Sequence, residues 1–257
     1  MTSMIGVFDS GIGGLGVLKE MLAFFDDEDV VFIADRINAP YGPRSLEEVQ
    51  ELSHAHASSL IDLGATTVVV ACNTASAAAL ESLRLANPHT TFVGMEPAVK
   101  PAAAATRSGV IGVLATEATF QGKLFASLID QFGSDLRVIP RSAPEWVELV
   151  EAGRISGDEV VDIVREHIAP LENVGVDTFV LGCTHFPFLL DVINEVVGPG
   201  ARIIDPAPAV AAQATRVHVY SPGAGSLTAR VTGDVDEFVS LSESVAHLTF
   251  PGGVLPL

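Results

Sequence analysis

Cysteine is almost absent from this chain: its 257 residues hold two, Cys72 and Cys183. They stand roughly 110 positions apart and match no paired-ligand spacing, which excludes a disulfide-rich scaffold and a cysteine-based zinc site. Basic residues are also scarce. Fourteen Lys and Arg against 32 Asp and Glu leave a formal net charge of -18. That excludes nucleic acid and anionic membrane surfaces as partners, because both require positive surface. An anionic ligand would have to be held locally, by amides, hydroxyls or a helix N-terminus. No apolar run approaches the ~20 residues needed to cross a bilayer. The first apolar stretch is broken by Asp9 and Gly11 and has no basic segment before it, so no secretory leader is expected, and the expected location is cytoplasmic.

What is present is a regular alternation of strand and helix patterns. Ile5–Phe8 reads as a strand, followed by a helix over Leu15–Phe25. Val30–Ala34 is a second strand. Ser45 is a candidate N-cap with Glu48 completing a capping box, for a helix reaching Leu63. A strand over Thr67–Ala71 leads to Cys72 and a helix from about Ala75, and Thr91–Gly94 is a fourth strand. The pattern then recurs at a spacing of roughly 106 to 111 residues. Ile111-Gly112-Val113 answers Ile5-Gly6-Val7, Leu136–Ile139 answers Val30–Ala34, Phe179–Cys183 answers Val68–Cys72, and Ile203–Pro206 answers Val93–Pro97. Four strands recurring in one order indicate an internal duplication.

The expected fold class is therefore α/β. It has two pseudo-symmetric lobes, each a mostly parallel sheet flanked by helices, with the active site in the cleft between them. The expected division is 1–97 plus 207–257 for a discontinuous first lobe and 98–206 for the second. The tail contributes a helix over Pro208–Arg216, a strand around Leu227–Val231 and a helix from Asp234 to about Leu248, with Pro251-Gly252-Gly253 as a frayed end. Ligands of such sheets bind at the carboxyl ends of the strands, where Asp9, Asp35, Cys72, Thr116, Cys183 and Asp205 fall.

Several motifs carry chemistry. Gly11-Ile12-Gly13-Gly14-Leu15-Gly16, with Asp35 about twenty residues on, has the dinucleotide-binding spacing. Asp9 at the strand end opposes a pyrophosphate there, and a tight glycine turn accounts for the same residues. Cys183-Thr184-His185 sets an imidazole two residues from a thiol, where it can assist that thiol or donate to developing charge. Cys72-Asn73-Thr74 places the other thiol at a helix N-terminus, whose dipole favours anions. Inert core thiols or a single structural disulfide are the bland alternatives. Glu151, after Trp146–Val150, reads by spacing alone as a solvated helix residue. His54 and His56 do not share a helix face and are expected to be solvated, so no metal site is expected.

Together, Asp9–Gly14, Pro40-Tyr41-Gly42-Pro43-Arg44-Ser45, Ala71–Ser76, Glu96–Ala102 and Leu181–Pro187 resemble the glutamate racemases of the aspartate/glutamate racemase superfamily, from about residue 4 to about 238. The resemblance implies cofactor-independent interconversion of L- and D-glutamate, supplying the D-enantiomer for peptidoglycan, in a homodimer. It implies that Cys72 and Cys183 are the acid/base pair on opposite faces of Cα, with Asp9 assisting Cys72, and His185 with Glu151 assisting Cys183. It further implies that Ser10, Pro40, Tyr41, Gly42, Asn73, Thr74, Thr119 and Thr184 position the substrate. Ser76 and His185 fit the glutamate branch. Gly16, Arg36 and Phe186 depart from the residues common at those places. A racemase of another small acid such as aspartate, and a non-catalytic two-lobed binder, are the other readings.

Overall fold

Apolar strands that alternate with capped helices build two parallel sheets. The computed structural model describes residues 4–25, 27–122, 125–127, 130, 136–221 and 223–257. In chain order the strands are β1 Met4–Asp9, β2 Asp29–Asp35, β3 Ala65–Val70, β4 Thr91–Gly94, β5 Val110–Ala115, β6 Arg137–Ser142, β7 Thr178–Gly182, β8 Arg202–Ile204, β9 Leu227–Thr232 and β10 Val254–Pro256. The helices are α1 Gly14–Leu22, α2 Leu46–Asp62, α3 Asn73–Ala86, α4 Val99–Ala105, α5 Glu117–Gln121, α6 Pro144–Glu151, α7 Asp158–Glu172, α8 Leu190–Val197, α9 Ala207–Val217 and α10 Val235–Ser244.

One sheet has six strands in the order β10-β9-β2-β1-β3-β4, and the other has four in the order β6-β5-β7-β8. Every ladder among them is parallel. The order β2-β1-β3-β4 is repeated as β6-β5-β7-β8, and the register repeats too. Ile5 pairs with Val30 and Thr67, and Ile111 pairs with Val138 and Thr178. The duplication read from strand spacing is thus present in the hydrogen-bond ladders.

Both faces of the larger sheet are covered, which is why its strands are apolar without alternation. Ile5, Val7, Phe32 and Val69 face Leu15, Leu18 and Met21 of α1. Phe8, Ile33, Val68 and Val70 face the other way, onto Val49 and Leu60 of α2 and Ala79 and Leu83 of α3. Ser45 caps α2 by accepting from the Glu48 amide at 3.1 Å. The Glu48 carboxylate turns instead to Arg44, one turn back.

Some boundaries and one exposure differ from expectation. The first helix stops at Leu22, the helix after Cys72 begins at Asn73, and the last helix ends at Ser244. The Pro251–Gly253 stretch is not a frayed end. It is a turn leading into β10, which extends the larger sheet beside β9. His56 is not solvated. It is buried beside Phe8 of β1, 2.8 Å from the Asp35 carboxylate. His54 is partly buried and bonds Ser82 at 2.9 Å. Apolar neighbours of α2 override the polar look of a helix whose histidines are two apart.

Asp35 is the hub of this corner. It accepts from Tyr41 Oη at 2.6 Å, from Asn38 Nδ2 at 3.0 Å and from Thr232 Oγ1 at 2.8 Å. Burial alone would raise its pKa, but His56, Tyr41 and Thr232 outweigh burial and hold it down at about 2. A carboxyl depressed in the fold stabilises the fold above its unfolded pKa of about 3.9, and that contribution is lost as pH falls through the folded value. It amounts to roughly 2 to 3 kcal/mol at neutral pH. The wild-type urea midpoint is therefore expected to fall as pH drops from about 5 to 2, and Asp35→Asn is expected to start lower and lose that part of the slope. An unchanged slope in Asp35→Asn would refute the assignment.

Candidate active site

The carboxyl ends of the two sheets converge on one narrow cavity of about 10 Å³, room for roughly a single water. The larger sheet contributes Ser10 after β1, Cys72 with Asn73 and Thr74 after β3, and the loop Pro40-Tyr41-Gly42. The smaller sheet contributes Thr116 after β5, Val147 from α6, and Cys183-Thr184-His185 after β7. Both cysteines are free and buried. Beyond Pro40, Gly42, Thr116 and Val147 a groove of about 270 Å³ leads outward past Pro43, Ser142 and Pro144.

The two thiols sit in unequal settings. Cys72 is the N-cap of α3, and its Sγ accepts from the Ala75 amide at 3.5 Å. Ser10 Oγ lies 3.7 Å from the same sulfur. Burial, and then the nearby Asp9 charge, push the Cys72 thiol up to about 12, against the pull of the Ala75 amide and Ser10. Cys72 is therefore a neutral thiol near pH 7.

Cys183 instead has an imidazole beside it, with Sγ 3.7 Å from His185 Nδ1. Behind that ring, His185 Nε2 is 2.6 Å from Glu151 Oε1. Burial pulls the His185 pKa down, but its contacts with Cys183 and Glu151 more than offset this and hold it well above the usual value. Burial likewise raises Glu151, and the His185 bond, the Ile12 amide and Arg36 bring it below its usual range. The pair is an imidazolium and a carboxylate at neutral pH.

Ten of the thirteen expected site residues line the cavity. Asp9, Glu151 and Thr119 stand one contact behind it. Asp9 is fully buried, accepts from the Gly11 amide at 3.1 Å, and receives the Thr184 hydroxyl at 3.3 Å. Burial raises its pKa, opposed by His185 and by the Gly14 and Gly11 amides. The hydroxyl of Ser10, rather than the Asp9 carboxylate, reaches Cys72. Thr119 bonds Thr116 at 3.0 Å, and Thr116 in turn meets Thr74 at 2.9 Å. Thr116 and Val147 are wall residues missing from the expected set. By the duplication, Thr116 is the counterpart of Ser10, a signal that was readable.

Two polar atoms of the wall have no partner among the described residues, Asn73 Nδ2 and Oδ1, although Asn73 is 3% exposed. A buried amide without a partner costs about 1 to 3 kcal/mol, and a ligand carrying both an acceptor and a donor would satisfy it. Of the three departures from the family pattern, Phe186 packs edge-on against Trp146 at 4.9 Å and lies outside the cavity wall. Gly16 faces the ring of Phe188, and Arg36 lies 3.6 Å from Glu151.

The glycine loop is explained by the second sheet rather than by a nucleotide. The Ile12 amide donates to Glu151 Oε1 at 2.8 Å, so the chain's own carboxylate occupies the anion position at the start of α1. A Cβ on Gly11 would lie 1.9 Å from that oxygen, and one on Gly13 would lie 2.5 Å from both His185 Nδ1 and Thr184 Oγ1. Side chains at these positions would hold the two halves apart. Among the described residues, no group of three or more His, Cys, Asp and Glu is arranged to hold a metal ion. None of the helices described is long and apolar enough to cross a membrane.

Residues 14–214 match the family model described as Asp/Glu/Hydantoin racemase. A glutamate racemase from Herpetosiphon aurantiacus is 42% identical over 245 residues, covering 93% of this chain and 96% of the relative. Among solved structures, a glutamate racemase isoform from Bacillus anthracis superposes with a TM-score of 0.87 at 30% identity, over 99% of this chain and 97% of that one. An Escherichia coli glutamate racemase, in complex with L-glutamate and the activator UDP-MurNAc-ala, superposes with a TM-score of 0.86 at 28% identity, over 100% and 98%.

Gly13→Ala tests the contact between loop and second sheet. Overpacking there is expected to destabilise the chain by about 1 to 3 kcal/mol in urea unfolding and to speed labelling of the thiols by a soluble disulfide reagent. An unchanged labelling rate would show that the loop does not hold the cavity closed.

Proposed function

This chain belongs to the Asp/Glu/Hydantoin racemase family, and we propose that it interconverts L- and D-glutamate without a cofactor, using Cys72 and Cys183 as the two acid/base groups. The observation that carries this reading is the pair of free thiols in the wall of one narrow cavity, each with a different neighbour. Racemisation requires a base on one face of Cα and an acid on the other. A neutral thiol at Cys72 and a thiol facing an imidazolium at Cys183 provide that division.

In the L-to-D direction, Cys183 as thiolate takes the α-proton while the His185 Nδ1–H faces its sulfur. The electron pair left on Cα is delocalised into the α-carboxylate. Cys72 then gives its proton to the opposite face, which yields D-glutamate, a Cys72 thiolate and a Cys183 thiol. The D-to-L direction runs these steps in reverse. The α-proton is far less acidic than either thiol, so fixed donors in a dry cavity must stabilise the carbanionic state. Amides at the start of α3 and the hydroxyls of Ser10, Thr74 and Thr116 are available for the carboxylates, while Thr184, its hydroxyl given to Asp9, shapes the wall beside Cys183. Asn73 can donate through Nδ2 to a carboxylate and accept through Oδ1 from the ammonium group. Pro40, Tyr41 and Gly42 close the wall, with the Tyr41 hydroxyl committed to Asp35, and Thr119 supports Thr116. Asp9 acts as an orienting group through Thr184 and through its charge on Cys72. L-glutamate in the Escherichia coli relative supports the choice of substrate.

A cavity of about 10 Å³ does not admit glutamate, so the lobes, 1–97 with 207–257 against 98–206, must part and close during turnover. The same reading assigns the chain to the cytoplasm as a homodimer, where its D-glutamate supplies peptidoglycan synthesis and so maintains cell shape.

Each enantiomer incubated in D2O should acquire deuterium at Cα and lose optical purity. Cys72→Ser and Cys183→Ser should each slow racemisation by at least about a hundredfold. Near-normal racemisation by either variant would sink the two-thiol mechanism, and faster turnover of aspartate than of glutamate would sink the substrate assignment.

A further inference from the structure

Arg36 lies in the 3-10 turn Arg36–Asn38 directly after β2, on the first-sheet side of the cavity, and its side chain is 12% exposed. Its Nη1 bonds Glu237 Oε2 of α10 at 2.9 Å, while its Nε lies 3.6 Å from Glu151 Oε2. Glu151 belongs to α6, on the other side of the cavity. Its Oε1 is already shared by the Ile12 amide and His185 Nε2. The terminal torsion of a glutamate is broad and nearly two-fold, so partners on one oxygen alone leave the carboxylate free to turn and exchange its oxygens. The Arg36 Nε, buried and without a hydrogen-bond partner among the described residues, faces the second oxygen at ion-pair distance and biases the carboxylate toward one orientation. A row of alternating charge results, with Glu237, Arg36, Glu151 and His185 running from the surface to Cys183.

We propose that Arg36 is a positioning residue for the Cys183 half-reaction: it fixes the Glu151 carboxylate so that Oε1 stays on His185 and the imidazolium stays aimed at the thiol. Because Arg36 and Ile12 approach Glu151 from the opposite side of the cavity, this alignment forms only when the two halves are together. Arg36 thereby links closure to readiness for proton transfer. The Arg36–Glu237 pair alone would not do this, since Glu237 is 59% exposed and a pair at that exposure contributes little.

The proposal rests on the glutamate racemase reading, and the test separates the two. Arg36→Gln should lower kcat five- to twentyfold for both enantiomers with KM within twofold, and Arg36→Lys, which keeps the charge, should recover most of the loss. In a Glu151→Gln background, Arg36→Gln should cost less than a further twofold. A change in KM alone, no recovery with lysine, or an equal loss in the Glu151→Gln background would overturn the proposal. Urea midpoints of the same four proteins (wild type, both single variants and the double variant) read the contact without any substrate. They should be non-additive, and additive midpoints would overturn it independently. Absence of racemisation by the wild type would overturn the substrate reading, while the unfolding cycle still decides the role of Arg36.

Discussion

One carboxylate oxygen sits at the centre of the junction between the two halves of this molecule, which the Thr74–Thr116 and Thr184–Asp9 bonds also span. Glu151 Oε1 accepts from the Ile12 amide, at the start of α1, and from His185, at the end of β7. In a chain with a net charge of -18, this negative charge is placed where two donors and a guanidinium converge. The consequences run outward from there. His185 keeps its proton despite burial, Cys183 faces a cation, and the glycine loop lies against the second sheet. Removing either member of this buried pair would leave an uncompensated charge costing about 3 to 5 kcal/mol.

Duplication supplied two equivalent strand ends, and divergence made them unequal. At one, Cys-Asn-Thr opens a 14-residue helix whose first amides face the sulfur. At the other, Cys-Thr-His leads into a short 3-10 turn, and the third residue is an imidazole instead of a hydroxyl. The strands arrive alike, but the backbone beyond them differs, and so does the charge beside each sulfur. One thiol is held protonated by burial and a neighbouring carboxylate, while the other meets a proton-bearing ring. Two roles from one repeated unit need no further scaffold.

The strands, their order and the two cysteines were readable because burial on both faces imposes uninterrupted Val and Ile runs, and because a repeated unit announces itself. Thr116 was also within reach, as the copy of Ser10. Other features were not readable. Glu151 looks like any solvated helix residue, since its partners come from residues 12, 36 and 185, and no local pattern encodes contacts that distant. His56 was misjudged because its apolar surroundings and its partner Asp35 come from other elements of the sheet, out of reach of a local helix pattern. The C-terminal strand was missed because Gly252 and Gly253 resemble an ending, whereas the close approach of Gly252 to Thr228 is what lets the chain turn back to the sheet.

The glycines at 11 and 13 leave no room for a β-carbon, because Glu151, Thr184 and His185 fill the space from the other half of the chain. These five positions are therefore sterically coupled. A lineage cannot enlarge the loop without first shrinking or removing a group on the far side, and those groups serve the reacting centre. Sequence drift on either half is bounded by the other, over a separation of well over a hundred residues.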